Sequence, residues 1–223
     1  MSRAQARPER LLVSPMGLRG LYAVTPDEPD TEVLKRKVRK ALAGGARIVQ
    51  YRNKSANAGL RLEQGAELLA LCRKAGAPLI VNDDLDLALA IGADGLHLGR
   101  EDTAIAAARA KLGGGRLLGV SCYDRLELAL AARSAGADYV AFGSAFPSET
   151  KPGATLAPLG LYREAKALLD SPIVAIGGIT PENAHAVIEA GADAVAVISA
   201  LFGALDIEAA ARRFDLLFQK KAR

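Results

Sequence analysis

The amino-acid sequence predicts a single-domain α/β protein with the (β/α)8 fold, also called a TIM barrel. Three observations predict it. Short apolar runs alternate with longer helical patterns along the chain of 223 residues. Eight such runs are present, and a chain of this length suits eight strand–helix units in one domain. A short glycine pattern also recurs four times, before every second run.

The eight candidate strands are apolar on both faces, as expected for parallel strands covered by helices. They comprise residues 20–25, 47–52, 79–83, 95–98, 117–121, 139–143, 173–177 and 194–199. Helical patterns lie between them at residues 32–43, 60–75, 85–91, 103–111, 126–135 and 181–190, and a final helix is predicted at 207–218.

The repeated glycine pattern marks the ends of helices. Its four copies end at Arg47, Asp94, Asp138 and Asp193, and each leads into a strand. Glycine enters the left-handed cap of a helix without strain, so a helix ends at each copy. Two strand–helix units taken four times give eight. An open doubly wound sheet is the alternative, but it usually has fewer strands and an early glycine-rich turn, which this sequence lacks.

The composition is that of a globular protein with a substantial core, since 50% of residues are hydrophobic and 24% are charged. No apolar run approaches the ~18 residues of a membrane helix. Two cysteines and the lack of a signal-peptide pattern predict a cytoplasmic protein. Residues 1–17 are predicted to form a flexible N-terminal tail, and residues 18–223 the catalytic barrel domain.

The charge distribution argues against a nucleic-acid partner. The net charge is +4, and the basic excess lies at the two ends of the chain. Aromatic residues make up 4% of the chain and tryptophan is absent, whereas nucleic-acid binders interleave basic and aromatic residues on one face. We expect small-molecule ligands and neither nucleic acid nor membrane as a partner. The sequence leaves a homo-oligomer open.

Charged and polar residues cluster at the predicted strand ends, where barrel active sites lie. Arg52 and Lys54 follow the second strand, and Lys151 lies in the long loop after the sixth. Converging cations favour an anionic ligand with at least two charges, held by charge-assisted hydrogen bonds. The alternative is a purely structural network of ion pairs among the same residues.

Two aspartates on neighbouring strand ends predict a metal site. Asp83 ends the third strand and Asp102 follows the fourth. Carboxylates beside phosphate-binding cations suggest Mg²⁺ bridging the protein and a pyrophosphate. Asp84 directly precedes a helical run, where aspartate is a good N-cap, so Asp83 is favoured as the ligand.

A second anion site is predicted after strands seven and eight. Gly177 and Gly178 end the seventh strand, and Ile198 and Ser199 end the eighth. Loops at these positions commonly bind phosphate through backbone N–H groups. A tight turn is the alternative explanation for the two glycines, and a simple polar loop is the alternative for Ser148-Glu-Thr150. His97 has no histidine partner nearby in the pattern, so we expect a packed, hydrogen-bonded histidine and not a metal ligand.

Taken together, these segments resemble the thiamine phosphate synthase family, also called thiamine-phosphate pyrophosphorylase. The resemblance covers roughly residues 18–203. It rests on seven ordered segments: Gln50-Tyr-Arg-Asn-Lys54, Val81-Asn-Asp-Asp84, Asp94-Gly-Leu-His-Leu-Gly99 with Glu101-Asp102, Gly119-Val-Ser121, Phe146-Pro-Ser-Glu-Thr-Lys151, Ala175-Ile-Gly-Gly-Ile179 and Val197-Ile-Ser-Ala200.

The resemblance implies a transferase that joins 4-amino-5-hydroxymethyl-2-methylpyrimidine diphosphate to a thiazole phosphate, releasing pyrophosphate, by a dissociative route. It implies catalytic roles for Arg52, Lys54, Ser121 and Lys151. The residues implied for the pyrimidine diphosphate are Gln50, Tyr51, Arg52, Asn53, Lys54, Asn82, Ser121 and Lys151. Those implied for the thiazole phosphate are Ser148, Glu149, Thr150, Gly178, Ile198 and Ser199, and Asp83 and Asp102 are implied to bind Mg²⁺.

Two alternatives remain open beside the synthase. Thiazole tautomerases resemble this barrel and its thiazole-phosphate site but lack the full set of diphosphate-binding residues, which this chain keeps. A non-catalytic sensor that binds thiamine phosphate would use the same pocket without needing all the cations and the metal. Release of pyrophosphate only when both substrates are present distinguishes the synthase from both.

Overall fold

The computed structural model describes residues 17–99, 105–147 and 155–220, and it confirms the predicted barrel. All neighbouring strands are parallel, and the first strand pairs with both the second and the eighth, which closes the barrel. The strands are β1 Gly20–Val24, β2 Ala46–Tyr51, β3 Leu79–Asn82, β4 Gly95–Leu98, β5 Leu117–Tyr123, β6 Tyr139–Phe142, β7 Ile173–Ile176 and β8 Ala194–Val197.

Helices surround this barrel in the described part of the chain. They are α1 Thr31–Ala43, α2 Ala58–Lys74, α3 Leu85–Ile91, α4 Ile105–Leu112, α5 Leu126–Ser134, α6 Leu159–Leu168, α7 Ala184–Glu189, α8 Ser199–Phe202 and α9 Ile207–Lys220. Helices α6 and α8 have no counterpart among the segments named from the sequence. With four residues, α8 is too short to show a helical period.

Alternate residues of each strand point into the barrel or out towards the helices. The inward cluster is compact and includes Tyr22, Ile48, Ile80, Tyr139 and Val174. The outward residues form a larger core with the apolar faces of the helices. The barrel is therefore filled with side chains, and ligands have access only at its ends.

The repeated glycine pattern has the structural role that the sequence predicts. Gly45, Gly92, Gly136 and Gly191 all have left-handed backbone angles, with φ of 104°, 71°, 99° and 120°. Each lies between the end of a helix and the next strand. A residue with a Cβ would be strained at these angles, which explains why glycine recurs there.

The aspartates that end three copies of this pattern link neighbouring strands through hydrogen bonds. Asp94, Asp138 and Asp193 each accept a hydrogen bond from the backbone N–H of a residue at the start of the preceding strand: Leu79 at 3.0 Å, Leu118 at 2.7 Å and Ile173 at 2.9 Å. These bonds lie at the amino ends of the strands, opposite the predicted active site. The repeat thus has a structural role.

Side-chain caps fix where three helices begin beside the other end of the barrel. Asp30, Asn57 and Asp84 accept hydrogen bonds from the third residue beyond them, all at 2.9 Å. Such caps satisfy backbone N–H groups that the first helical turn leaves without partners. The Asp84 bond confirms the N-cap predicted for α3.

The predicted N-terminal tail, residues 1–17, lies outside the described residues apart from Gly17. Within the residues that the structure describes, no helix is both long enough and apolar enough to span a membrane.

Candidate active site

A cavity of about 280 Å³ opens at the carboxyl ends of β2 and β3. It brings together predicted site residues from two neighbouring strands. Its lining consists of Tyr51, Arg52, Asn53, Lys54, Arg61, Val81, Asn82, Asp83, Asp84 and Leu87. The cavity thus combines cationic, amide and carboxylate groups on one side of the barrel mouth.

The loop after β1 holds the two cations that follow β2. The Thr25 hydroxyl accepts the Arg52 N–H and donates to the Arg52 carbonyl, both at 2.8 Å. Asp27 Oδ1 accepts from the Arg52 guanidinium at 3.2 Å and from the Lys54 backbone N–H at 3.0 Å. The Lys54 side chain is exposed and forms no ion pair with the described residues. Its ammonium is therefore available to a ligand.

The polar side-chain atoms of Tyr51 and Asn53 form hydrogen bonds within the protein, beneath Arg52 and Lys54. The Tyr51 hydroxyl and the Asn53 amide both donate to Gln64 Oε1 of α2, at 2.9 and 3.0 Å. Asn53 and Gln64 also donate to the carbonyl of Glu28. Burial raises the pKa of Tyr51 to about 12. These contacts favour a supporting role for Tyr51 and Asn53, and direct contact with the pyrimidine diphosphate stays a prediction.

Asp83 leaves β3 with an unusual backbone. Its φ is 62°, in the left-handed region, which aspartate and asparagine adopt more readily than other residues with a Cβ. Its N–H donates to the His97 carbonyl at 2.8 Å, and its carboxylate accepts from the Asn82 amide at 2.6 Å. Strained backbone is concentrated at functional sites, which fits a ligand role for Asp83.

The donor set at Asp83 fits Mg²⁺ on chemical grounds. Carboxylate and amide oxygens are hard ligands, and protein Mg²⁺ sites commonly use one or two carboxylates together with substrate phosphates and water. No cluster of three metal-ligating side chains occurs among the described residues, so a full protein cage is not what this part of the chain offers. The second predicted ligand, Asp102, lies outside the described residues.

A line of polar side chains crosses the barrel interior. The Gln50 amide donates to the Tyr22 hydroxyl at 3.0 Å, and the Tyr22 and Tyr139 hydroxyls are 2.8 Å apart. Tyr139 lies 3.1 Å from His97 Nδ1, and His97 Nε2 lies 2.9 Å from the Ser121 hydroxyl. His97 is therefore packed and hydrogen-bonded, as the sequence predicts. The line joins two predicted substrate-binding residues, Gln50 and Ser121.

Gly178, Ile198 and Ser199 lie at the ends of β7 and β8, as predicted. Gly178 has φ of 60°, and a Cβ there would lie 2.3 Å from the Pro147 carbonyl oxygen. Ile198 packs against the inward cluster, and Ser199 begins α8. Only glycine allows the β7 end to approach the loop after β6 so closely.

Several predicted site residues lie outside the residues that the structure describes. They are Asp102, Ser148, Glu149, Thr150 and Lys151. Pro147, which lies against Gly178, directly precedes Ser148 in the chain. The roles expected of these five residues stay predictions.

Sequence reasoning did not single out Thr25, Asp27, Tyr22, Tyr139 or Arg61. Thr25 and Asp27 follow the first strand, and this position at a strand end is the sequence feature that indicates site residues in a barrel. Arg61 of α2 lines the cavity, and its guanidinium lies 3.7 Å from Asp84. Its Nε is buried with no hydrogen-bond partner in the described ranges, and no local pattern points to that.

Cys122 is fully buried on the outer face of β5, and burial raises its thiol pKa to about 12. A thiol that stays protonated is a poor nucleophile. The charged cavity, and not a reactive thiol, is the chemical feature of this end of the barrel.

A closed parallel barrel with cationic and acidic side chains gathered at the carboxyl ends of its strands is the architecture of the barrel enzymes. The family model described as thiamine monophosphate synthase matches residues 21–201. The chain belongs to this family, and it is an enzyme of the transferase class.

Curated relatives are similar over nearly their whole length. A thiamine-phosphate synthase of Chromobacterium violaceum is 60% identical over 198 residues, covering 89% of this chain and 95% of the relative. One from Thioalkalivibrio sulfidiphilus is 55% identical over 203 residues, covering 91% and 96%. A solved thiamine phosphate pyrophosphorylase from Pyrococcus furiosus is 38% identical with a TM-score of 0.81, covering 90% of this chain and 96% of that one.

Proposed function

We propose that this protein joins 4-amino-5-hydroxymethyl-2-methylpyrimidine diphosphate to a thiazole phosphate, giving thiamine phosphate and pyrophosphate. The observation that carries the proposal is the single cavity that contains Arg52, Lys54, Asn82 and Asp83. It offers two cations, an amide and a carboxylate to one ligand. The names of the relatives, thiamine-phosphate synthase, support the same assignment.

The diphosphate would lie over the ends of β2 and β3. Arg52 offers a planar fork of donors, and Lys54 offers a compact positive charge on a flexible stem. Asn82 adds a neutral donor beside them, and Ser121 and Gln50 would contact the same ligand from the barrel interior. We assign Lys151, in the loop after β6, to the same diphosphate. Tyr51 and Asn53 would shape the floor beneath it through Gln64.

Asp83, together with Asp102, would hold Mg²⁺ against the diphosphate. When bound, the ion would neutralise part of the negative charge that develops on the leaving group. The backbone of Asp83 fixes the position of its carboxylate, because its N–H is bonded to β4 and its side chain to Asn82. Asp84 caps α3 through a hydrogen bond from Leu87 N–H, and it would not be a ligand of the metal.

The thiazole phosphate would bind on the opposite side of the mouth. Gly178 offers backbone without a side chain, and Ser199 begins a short helix directly after β8. In barrels of this kind, the loops after strands seven and eight and a short extra helix often form a phosphate site. Ile198 would contact the ring, and Ser148, Glu149 and Thr150 would complete the site from the loop after β6.

The reaction would proceed by departure before attack. The bond between the pyrimidine methylene carbon and the diphosphate oxygen breaks, and the electron pair leaves with pyrophosphate. The thiazole nitrogen then donates its lone pair to the methylene cation. That nitrogen carries no proton, so the route needs neither a protein nucleophile nor a general base. Arg52, Lys54, Lys151 and Ser121 would contribute by positioning the substrate and stabilising the leaving group.

A pyrophosphate-release assay with each substrate omitted in turn tests the proposal. A synthase releases pyrophosphate only when both substrates and Mg²⁺ are present. A thiazole tautomerase would change the thiazole phosphate without releasing pyrophosphate, and a sensor would bind thiamine phosphate without turnover. Either of those results would overturn the assignment.

We also propose that the reaction takes place in the cytoplasm. Cys72 and Cys122 are both free and buried, as expected for a protein of a reducing compartment.

A further inference from the structure

We propose that every group in the interior line of hydrogen bonds donates its proton in the direction from Gln50 to Ser121. This direction sets which groups the site offers to the pyrimidine diphosphate. Tyr22, Tyr139 and His97 would be positioning residues, since they act through the two residues at the ends. This inference rests on the proposed function, because it assumes that an anionic pyrimidine ligand lies at the mouth.

The direction follows from counting protons along the line. The Gln50 Nε2 can only donate, so the Tyr22 hydroxyl accepts and gives its single proton to Tyr139. Tyr139 then gives its proton to His97 Nδ1. A neutral imidazole that accepts at Nδ1 carries its proton on Nε2, which donates to the Ser121 hydroxyl. The proton of Ser121 is left for the ligand.

The contact expected between Ser121 and the ligand requires the same direction of donation, without reference to the proton count. A phosphate oxygen can only accept, so Ser121 has to donate to it. If the line ran the other way, Ser121 would donate to His97 Nε2 and would present only a lone pair to the anion. The reversed line would also place the Gln50 amide nitrogen, and not its oxygen, towards the ligand.

The other end of the line then presents an acceptor. Gln50 Oε1 accepts no hydrogen bond within the described part of the chain. An amino group on a pyrimidine ring is a donor, so it complements this oxygen. The site would therefore offer an acceptor at Gln50 and a donor at Ser121, which is the pairing that an aminopyrimidine diphosphate needs.

The two tyrosines are suited to a fixed line because they are deeply buried. Tyr22 is 1% exposed and Tyr139 is 0% exposed. Burial raises the pKa of both hydroxyls well above the ordinary value, so each keeps its one proton. Hydrogen bonds in such surroundings are stronger and polarise one another. Reversing the line would require Gln50, both tyrosines, His97 and Ser121 to change together.

The substitution Tyr139→Phe tests the line by removing one hydroxyl from its centre. We expect the KM for the pyrimidine diphosphate to rise about tenfold, the effect of losing one to two hydrogen bonds, with the KM for the thiazole phosphate within twofold of wild type. Tyr22→Phe should give the same pattern. Steady-state pyrophosphate release with each substrate varied separately measures both constants.

Tyr162→Phe is the matched control. Tyr162 is as fully buried as Tyr139, and its hydroxyl donates to the Phe142 carbonyl at 3.1 Å, outside the barrel interior. Its KM values should equal those of wild type. Equal KM values for Tyr139→Phe and Tyr162→Phe would overturn the proposal. Absence of pyrophosphate release by the wild-type protein would instead contradict the proposed function.

Ring ¹⁵N NMR of the wild-type protein tests the direction without any change to the line. The chain has two histidines, and His185→Gln assigns the signals of His97. We expect the proton of His97 on Nε2 with the pyrimidine diphosphate bound, and a loss of that preference in Tyr139→Phe. A proton on Nδ1, or on both nitrogens, in the bound wild-type protein would overturn the proposal whether or not the enzyme turns over.

Discussion

Thr25 and Arg52 are joined by a reciprocal pair of hydrogen bonds through one hydroxyl group. Thr25 Oγ1 accepts the Arg52 N–H and donates to the Arg52 carbonyl, each at 2.8 Å, and Thr25 is completely buried. The backbone of Arg52 is therefore fixed by the end of β1 as well as by β2. The pair thus gives a defined backbone position to Arg52, whose guanidinium we propose binds the diphosphate.

Replacing Thr25 by valine tests that relationship, because the shape is kept and only the hydroxyl is lost. We expect the KM for the pyrimidine diphosphate to rise about fivefold to tenfold, since each lost hydrogen bond contributes about 1 kcal/mol. Thr31→Val is the control, because the Thr31 hydroxyl donates to Glu63 on the surface and neither residue lines the cavity. Equal KM values in the two variants would show that the Thr25 pair does not position Arg52.

The barrel itself could be predicted because its signals are local in sequence. Left-handed glycines such as Gly92 and Gly191 mark helix ends within a few residues of the next strand. Apolar runs identify the strands, and strand ends then identify Arg52, Lys54, Asn82 and Asp83 as neighbours at one mouth. The structure places these four residues around one cavity.

The interior line could not be predicted in the same way. Tyr22 and Tyr139 meet across the barrel although 117 positions separate them in the chain. In the sequence, each tyrosine occupies an ordinary apolar position of its own strand. No local pattern indicates that the two are in contact. The supporting contacts of Tyr51 could not be predicted for a related reason, since only the fold shows that its hydroxyl donates to Gln64 of α2.

We predict that Lys151→Ala lowers kcat more than it raises KM. An ammonium that meets charge developing on the leaving diphosphate acts in the transition state, so its loss should cost on the order of 10²-fold in kcat. Lys151→Arg should recover only part of the rate, because a planar fork does not replace a compact charge. Lys111→Ala, on the exposed end of α4, is the control. A single-turnover rate equal to wild type for Lys151→Ala at saturating substrates would reduce Lys151 to an anchor of its loop.

We predict that the two anion sites are separable by mutation. Ser199→Ala should raise the KM for the thiazole phosphate several-fold, the effect of about 1 kcal/mol, and leave the KM for the pyrimidine diphosphate unchanged. Ser134→Ala removes an exposed hydroxyl that donates to the Leu130 carbonyl on α5, and it should change neither constant. Titration with each substrate measures the effect. Equal weakening of both substrates by Ser199→Ala would place that residue outside a dedicated thiazole-phosphate site.

We predict that activity requires Mg²⁺ and the carboxylate of Asp83. Asparagine adopts the left-handed backbone of this position as readily as aspartate does, so Asp83→Asn should leave the thermal unfolding temperature nearly unchanged. The pyrophosphate-release rate should fall about 100-fold or more, because a metal ion contributes several kcal/mol to the stabilisation of leaving-group charge. Asp86→Asn is the matched control, since Asp86 lies three residues further on an exposed position of α3. Excess chelator should abolish the wild-type rate, and added Mg²⁺ should restore it. Full activity in excess chelator, or equal rates for Asp83→Asn and Asp86→Asn, would contradict the metal assignment.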